Sequence, residues 1–309
     1  SHDALVPFAE RRIIKMKKSK SRIAFEIINY IIISFLTLSC IVPILNILAF
    51  SFSSSQAIIE NRVGLWPVDF TLQAYKYVMN NSRFWMSMLI TLERVVLGVI
   101  LNVVLIVLVA YPLSKSELKF PARKYYVAFM LCVMLFSGGM MPTYFIVAKT
   151  GLIDTIWSLV LPGAVPIFSC IVLLNFFRGV PEELEESAVL DGANPFQILV
   201  KIFLPISKPS IATVTLFSLI SHWNSWFDGL IYSNHTENYP MQSYLQTLVV
   251  TTASSMESMD VDTMLNRLNV NETNMQSAQI FISIIPLMLV YPFLQKYFTK
   301  GLTLGSVKG

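Results

Sequence analysis

The chain has 309 residues, 54% hydrophobic and 14% charged, with a formal net charge of +4 and a mean hydropathy of +0.61. A soluble domain carries roughly 25% charged residues, so the composition excludes an ordinary soluble fold and makes lipid the expected solvent. A bilayer-crossing helix needs about 20 apolar residues, and six such runs occur, at about 23–50, 85–112, 125–148, 156–177, 209–232 and 277–298. Backbone groups in lipid must pair inside the protein. Runs without strand-like alternation therefore read as helices. The expected fold class is all-α: a polytopic membrane protein of six transmembrane helices in one domain, 23–299, flanked by a basic segment, 1–22, and a tail, 300–309.

Basic residues orient the runs. Arg11, Arg12, Lys15, Lys17, Lys18, Lys20 and Arg22 precede the first run, and Lys115, Lys119, Arg123 and Lys124 follow the second. Arg178, Lys201 and Lys208 flank the segment between the fourth and fifth, and Lys296, Lys300 and Lys308 close the chain. The other side holds Arg62, Lys76, Arg83, Lys149 and Arg267. The positive-inside rule then places both termini, and the segment between the fourth and fifth runs, in the cytoplasm. The first run is too long for a cleavable leader and lacks a small-residue cleavage site. Cys40, Cys132 and Cys170 fall inside runs without metal spacing and read as small apolar residues.

In chain order, 53–83 is an outer segment with a turn at Trp66-Pro67 and an interfacial helix at 71–79. Glu93-Arg94 in the second run is expected to ion-pair with a neighbouring helix or chain. Gly138-Gly139 should loosen the third run, and Pro162 and Pro166 should kink the fourth. Catalytic signatures are missing: the histidines are His2, His222 and His235, and no HExxH, GxSxG or phosphate-binding Lys-Ser/Thr loop occurs. No catalytic or metal site, no cofactor held by this chain and no nucleic-acid partner are expected. His222 reads either as an intramembrane base or as a polar residue of a helix interface.

Between the fourth and fifth runs lies ELEESAVLDGANPFQILVKIFLP, Glu183 to Pro205. Pro181 suits a first helical turn, and Glu182, Glu183, Glu185 and Glu186 crowd the positive end of a helix. Gly192 fits a left-handed helix stop, Asn194 an N-cap and Pro195 the first position of a second helix. Phe196, Leu199, Val200 and Phe203 recur at helical spacing, and Pro205 and Pro209 end the second helix before the fifth run. The segment therefore predicts a cytoplasmic elbow over about 181–205. An ordinary structured loop is the plain reading; helices presenting Leu184, Ala188 and Phe196 also suit a partner's groove.

Glu186-Ser187-Ala188, then Asp191-Gly192-Ala193, then Ile202-Phe203-Leu204-Pro205 resembles the EAA loop of permeases in binding-protein-dependent ABC importers. Ser187 stands where alanine is usual, and both are small. Ala110-Tyr111-Pro112-Leu113-Ser114 is similar to a segment of the maltose-type carbohydrate-uptake permeases. Phe136 to Tyr144, His222 to Asp228 and the tail from Lys300 to Gly309 resemble their oligosaccharide, LplC-like branch. The resemblance implies the type I importer permease fold, with the elbow as a coupling helix carrying Glu183, Glu186, Ser187, Ala188, Asp191, Gly192, Ala193 and Pro205. It also implies a sister permease, two copies of a cytoplasmic ATPase that bind ATP and magnesium, an extracellular or periplasmic sugar-binding protein and an oligosaccharide cargo.

Polar side chains are costly in lipid and tend to face a cavity or each other. Asn175, His222, Trp223, Asn224, Trp226 and Asp228 are the candidate translocation residues, by the aromatic, amide and carboxylate chemistry that sugars need. An interfacial aromatic belt explains the tryptophans equally well. The long outer segment 233–276, acidic through Glu237, Glu257, Asp260, Asp262 and Glu272 against Arg267, is expected to contact the binding protein. The expected function is the permease subunit of an ATP-driven carbohydrate importer in the membrane of a prokaryote. An ion-coupled secondary transporter and a non-transporting membrane scaffold are the alternatives. The first is disfavoured by the absence of a repeat and the scarcity of deep acidic residues.

Overall fold

A computed structural model describes residues 20–257 and 272–305. The basic stretch from Arg11 to Lys18, the charges Asp260, Asp262 and Arg267 and the tail residue Lys308 lie outside the described residues. Those described form helices and no strands. In chain order they are α1 (Lys20–Phe52), α2 (Ser55–Ile59), α3 (Gln73–Asn80), α4 (Ser82–Ser114), α5 (Arg123–Leu135), α6 (Met140–Lys149) and α7 (Ile156–Val160). Then follow α8 (Ile167–Arg178), α9 (Glu182–Leu190), α10 (Pro195–Ile206), α11 (Lys208–Asn224), α12 (Phe227–Tyr232), α13 (Met241–Glu257) and α14 (Glu272–Gly305).

Three helices are long and apolar enough to cross a membrane on their own: α1, α4 and α14 over Thr273–Pro292. Two bent pairs raise the number to five, α5 with α6 and α10 with α11. The remaining expected run, 156–177, is divided. Pro162 and Pro166 lie between α7 and α8, where a missing N–H and a fixed φ end a helix rather than merely kink it. The third run is likewise broken, by a 110° bend at Phe136–Gly139, with Gly139 at φ +83°.

α4 packs between α8 and α11, α11 also meets α14, and α1 leans on α14. Two apolar clusters hold the body together. One gathers Ile106, Ala110, Leu173, Phe177, Leu199, Phe203 and Val214 from α4, α8, α10 and α11. The other gathers Val78, Phe84, Met88, Trp223, Met241, Leu245 and Ala278 from α3, α4, α11, α13 and α14. Burying one such side chain contributes about 1.5–3 kcal/mol in water. In lipid the same contacts work through close packing instead.

Within the outer segment 233–276, α13 occupies Met241–Glu257. Met241, Tyr244, Leu245 and Leu248 follow the i, i+3, i+4, i+7 spacing of an amphipathic helix, and the first three are buried. By contrast α1 and α5 leave almost all their apolar side chains exposed, from Phe25 at 69% to Leu135 at 75%. Such surfaces need lipid or another chain to cover them.

Candidate functional site

Between the two clusters lies a polar cavity of about 520 Å³. Its origin is a matched pair of stripes. Residues four apart share a helix face. On α4 that face carries Arg94, Gly98 and Asn102, and on α11 it carries Val214, Ser218 and His222, all buried. Gly98 faces the imidazole so closely that a Cβ there would sit 2.4 Å from His222 Nε2. The glycine is therefore required by close approach.

Asn102 crosslinks the stripes. Oriented by its hydrogen-bond network, its oxygen accepts from Ser218 Oγ at 2.9 Å and from His222 Nε2 at 3.3 Å. Its nitrogen donates to the carbonyls of Gly98 at 3.0 Å and Ala164 at 3.2 Å. Every polar atom of a buried amide is thereby used.

The cavity's charged wall is Arg94 with Asp228. The Arg94 side chain is 3% exposed and that of Asp228 23%. Nη2 donates to Oδ2, and Nη1 donates to Oδ1 at 3.1 Å. The helix break between α11 and α12 leaves the Ser225 carbonyl free, and Arg94 Nη1 donates to it at 3.3 Å. Asp228 Oδ1 also accepts from Ser225 Oγ at 2.8 Å and from the Gly229 N–H at 2.9 Å. Ser158, Ser169, Ser221 and the Pro162–Pro166 link complete the lining. The pair is neutral overall, so the cavity offers hydroxyls, amides and one compensated ion pair, which is chemistry for hydroxyl-rich cargo rather than for covalent catalysis.

Of the sequence-predicted pathway residues, His222 and Asp228 line this cavity. Trp223 is buried in the apolar cluster around Met241 instead. Asn175, Asn224 and Trp226 are exposed on the outside of the chain. Arg94, Asn102 and Ser218 also line the cavity, with Gly98 behind them against His222, and none of the four is among the sequence-predicted pathway residues. Their sequence signal is the four-residue period of small and polar types inside two apolar runs.

At the other end of α4 is the elbow. α9 stops in a Schellman arrangement: Ala193 N donates to Ala188 O at 2.9 Å, Gly192 N donates to Val189 O at 3.0 Å, and Gly192 has φ +81°. Asn194 then caps α10 with a full capping box. Gln197 N donates to Asn194 Oδ1 at 2.9 Å and Asn194 N donates to Gln197 Oε1 at 3.0 Å. α10 widens into a π-helical turn at Leu199–Phe203 and meets α11 at an angle of 83°, with exposed Pro205 just before the bend.

An ionic latch ties the elbow to α4. Lys115 Nζ donates to Glu185 at 2.8 Å and lies 4.1 Å from the centres of both the Tyr111 and Phe203 rings. Lys119 Nζ donates to Glu182 at 2.9 Å and approaches Glu185 at 3.6 Å. Burial pushes the Lys115 amine below the usual lysine range, while its Glu185 partner opposes that shift. The hydrogen bond from Lys119 holds Glu182 below the usual carboxylate range. Ala188 and Ala193 pack inward on the same apolar cluster. Glu183, Glu186, Ser187, Asp191 and Gly192 are exposed, as are Leu190 at 88% and Phe196 at 69%.

No family model matches the chain. It is 37% identical over 285 residues to the polygalacturonan/rhamnogalacturonan transport system permease protein YtcP of Bacillus subtilis (strain 168), covering 92% of this chain and 98% of the relative. It is 38% identical over 294 residues to protein LplC of the same organism, covering 95% and 98%. Among solved structures it superposes with a TM-score of 0.82, at 33% identity, on a chain of a bacterial ABC transporter involved in import of the acidic polysaccharide alginate, covering 92% of this chain and 99% of that one. With the helical body and apolar spans, these similarities make it a multi-pass membrane protein and a transport subunit, not an enzyme: the chain belongs to the carbohydrate-uptake permeases of binding-protein-dependent ABC importers.

Proposed function

We propose that this permease, with a sister permease, carries an acidic oligosaccharide through the membrane along the Arg94–Asp228 cavity, driven by ATPases docked on the elbow. The observation that carries this reading is α4 itself. Its 33 residues span about 50 Å at 1.5 Å per residue. One rigid element thus joins the latch at Lys115 to the cavity at Arg94 and Asn102.

The chain crosses the membrane six times, with α7 and α8 together making the broken fourth crossing and both termini in the cytoplasm. Exposed Glu183, Glu186, Leu190 and Phe196 contact a cytoplasmic ATPase, two copies of which bind ATP and magnesium. Closure of the ATPases pushes the elbow, and the latch passes that movement to α4. Asn175, Asn224 and Trp226, exposed on the isolated chain, face the route that the sister subunit closes. A binding protein delivers cargo at the outer side, where 233–276 lies. Acidic cargo is favoured by relatives named for polygalacturonan and alginate.

The test is uptake of a labelled oligogalacturonate into proteoliposomes holding both permeases, the ATPase and the binding protein. Uptake should require ATP and no ion gradient. A strict need for a proton or sodium gradient would place the chain among secondary transporters instead.

A further inference from the structure

A second cavity, of about 410 Å³, lies apart from the first and shares none of its lining residues. It is built where α3, the first turn of α4, the segment at Thr236–Tyr239, α13 and the start of α14 converge. Its size falls within the roughly 300–1,000 Å³ of small-molecule sites. Three features of its wall belong together chemically.

The first is aromatic. Tyr77, Tyr239 and Tyr244 line it, and a tyrosine offers a flat apolar face with a polar rim, the complement of a pyranose with its C–H face and equatorial hydroxyls. The second is charge. Arg83 is the one charged residue of the lining, and no carboxylate of the described residues pairs with it. It stands in the first turn of α4, where the helix dipole adds positive potential, and its planar fork suits a carboxylate. The third is an unused acceptor. Gln279 lines the cavity at 3% exposure, and its Oε1 has no protein partner among the described residues. Its side chain also hydrogen-bonds Tyr244, and Asn81 Nδ2 donates to the Tyr244 hydroxyl at 3.1 Å. The wall is thus held in place while one buried oxygen waits for a donor. Buried polar atoms are nearly always satisfied, so an orphan lining a cavity points to a ligand.

We propose that this cavity is a subsite for a single uronate residue of an acidic oligosaccharide, with Arg83 taking the carboxylate, the tyrosines the ring and Gln279 a sugar hydroxyl. The proposal rests on the importer reading, which puts this end of α4 outside. There the subsite holds cargo beside the entrance before it reaches the central cavity.

The test uses the assembled importer in lipid nanodiscs without its binding protein, titrated by calorimetry with trigalacturonate and with neutral galactotriose. The acid should bind about tenfold more tightly or better. Arg83→Gln should abolish that preference and Arg83→Lys should keep part of it, while Gln279→Leu should weaken both sugars alike. Arg83 is exposed, so its variants should fold; equal membrane abundance checks this. No binding, equal binding of both sugars, or unchanged preference in Arg83→Gln would overturn the proposal. So would stronger binding of glycerol phosphate, which would assign the cavity to a lipid headgroup. Uptake measured on the same complex separates the two readings: transport without subsite binding removes the subsite alone, whereas loss of ATP-driven uptake of every oligosaccharide removes the importer.

Discussion

Lys115–Glu185 under the elbow and Arg94–Asp228 in the cavity are both charge-assisted contacts between separate, largely buried segments, yet they differ in what surrounds them. The first pair is backed by two aromatic rings and by the more exposed Lys119–Glu182 contact. The second has an arginine side chain only 3% exposed, held by a carboxylate that takes two donors besides, Ser225 Oγ and the Gly229 N–H. The outer Lys119–Glu182 contact, with side chains 40% and 60% exposed, can loosen and re-form cheaply, because solvent replaces what is lost. A buried pair cannot, because an abandoned charge stays desolvated. The outer rim of the latch is therefore suited to movement, and the cavity wall to keeping its shape while cargo passes.

The sharpest break of that contrast is truncation inside the cavity. Arg94→Ala or Asp228→Ala alone should cost about 3–5 kcal/mol, seen as a lower melting temperature and reduced membrane abundance. Replacing both with leucine should restore most of the stability and leave uptake abolished. A single variant with wild-type stability would show that the wall is solvated after all. Gly98→Ala comes next, since its Cβ must displace His222. Overpacking there should cost about 1–3 kcal/mol. Combining it with His222→Ala should be markedly less than additive in a thermal-melt cycle.

At the elbow the effects should appear in coupling rather than in stability. Gly192 has positive φ but open space around a Cβ, so Gly192→Val should cost about 1–2 kcal/mol of backbone strain. It should leave abundance intact while lowering uptake per ATP hydrolysed. Glu186→Arg, on the exposed face, should do the same and weaken ATPase retention during purification. The smallest expected response is to pH. A depressed Glu182 contributes stability present above the ordinary carboxylate pKa and lost as pH falls through its folded value. Lys119 is raised, chiefly by its hydrogen bond to Glu182, so its contribution is present below the ordinary lysine pKa and lost as pH rises through its folded value. Uptake per ATP should then stay flat between about pH 5 and 9, well between the two pKa ranges. A step near pH 6–7 would assign coupling to another group.

The elbow was legible because its determinants are local. Gly192, Asn194 and Pro195 each act on their own neighbours, and the observed cap bonds span five residues or fewer. The latch was not legible, since Glu185 and Lys115 are 70 residues apart. The cavity was half legible. His222 and Asp228 stood out as polar residues in an apolar run, but nothing local tells that Trp223, one residue from His222, turns into an apolar cluster. Glu93-Arg94 shows the same limit: an ion pair was foreseen, but its partner lies 134 residues further along.

The sequence by itself determined the solvent, the helical class, most of the apolar runs and the capped elbow, because hydropathy, periodicity and cap chemistry act within a few turns of chain. Only the tertiary structure decided that 156–177 is two helices rather than one and that α13 folds back onto the body. It also decided which of the neighbouring polar residues of α11 and α12 face a shared cavity. Those outcomes depend on which helix faces meet, and in a chain whose runs are apolar on nearly every side, it is packing between distant segments, through small and polar residues such as Gly98 and Asn102, that selects the face.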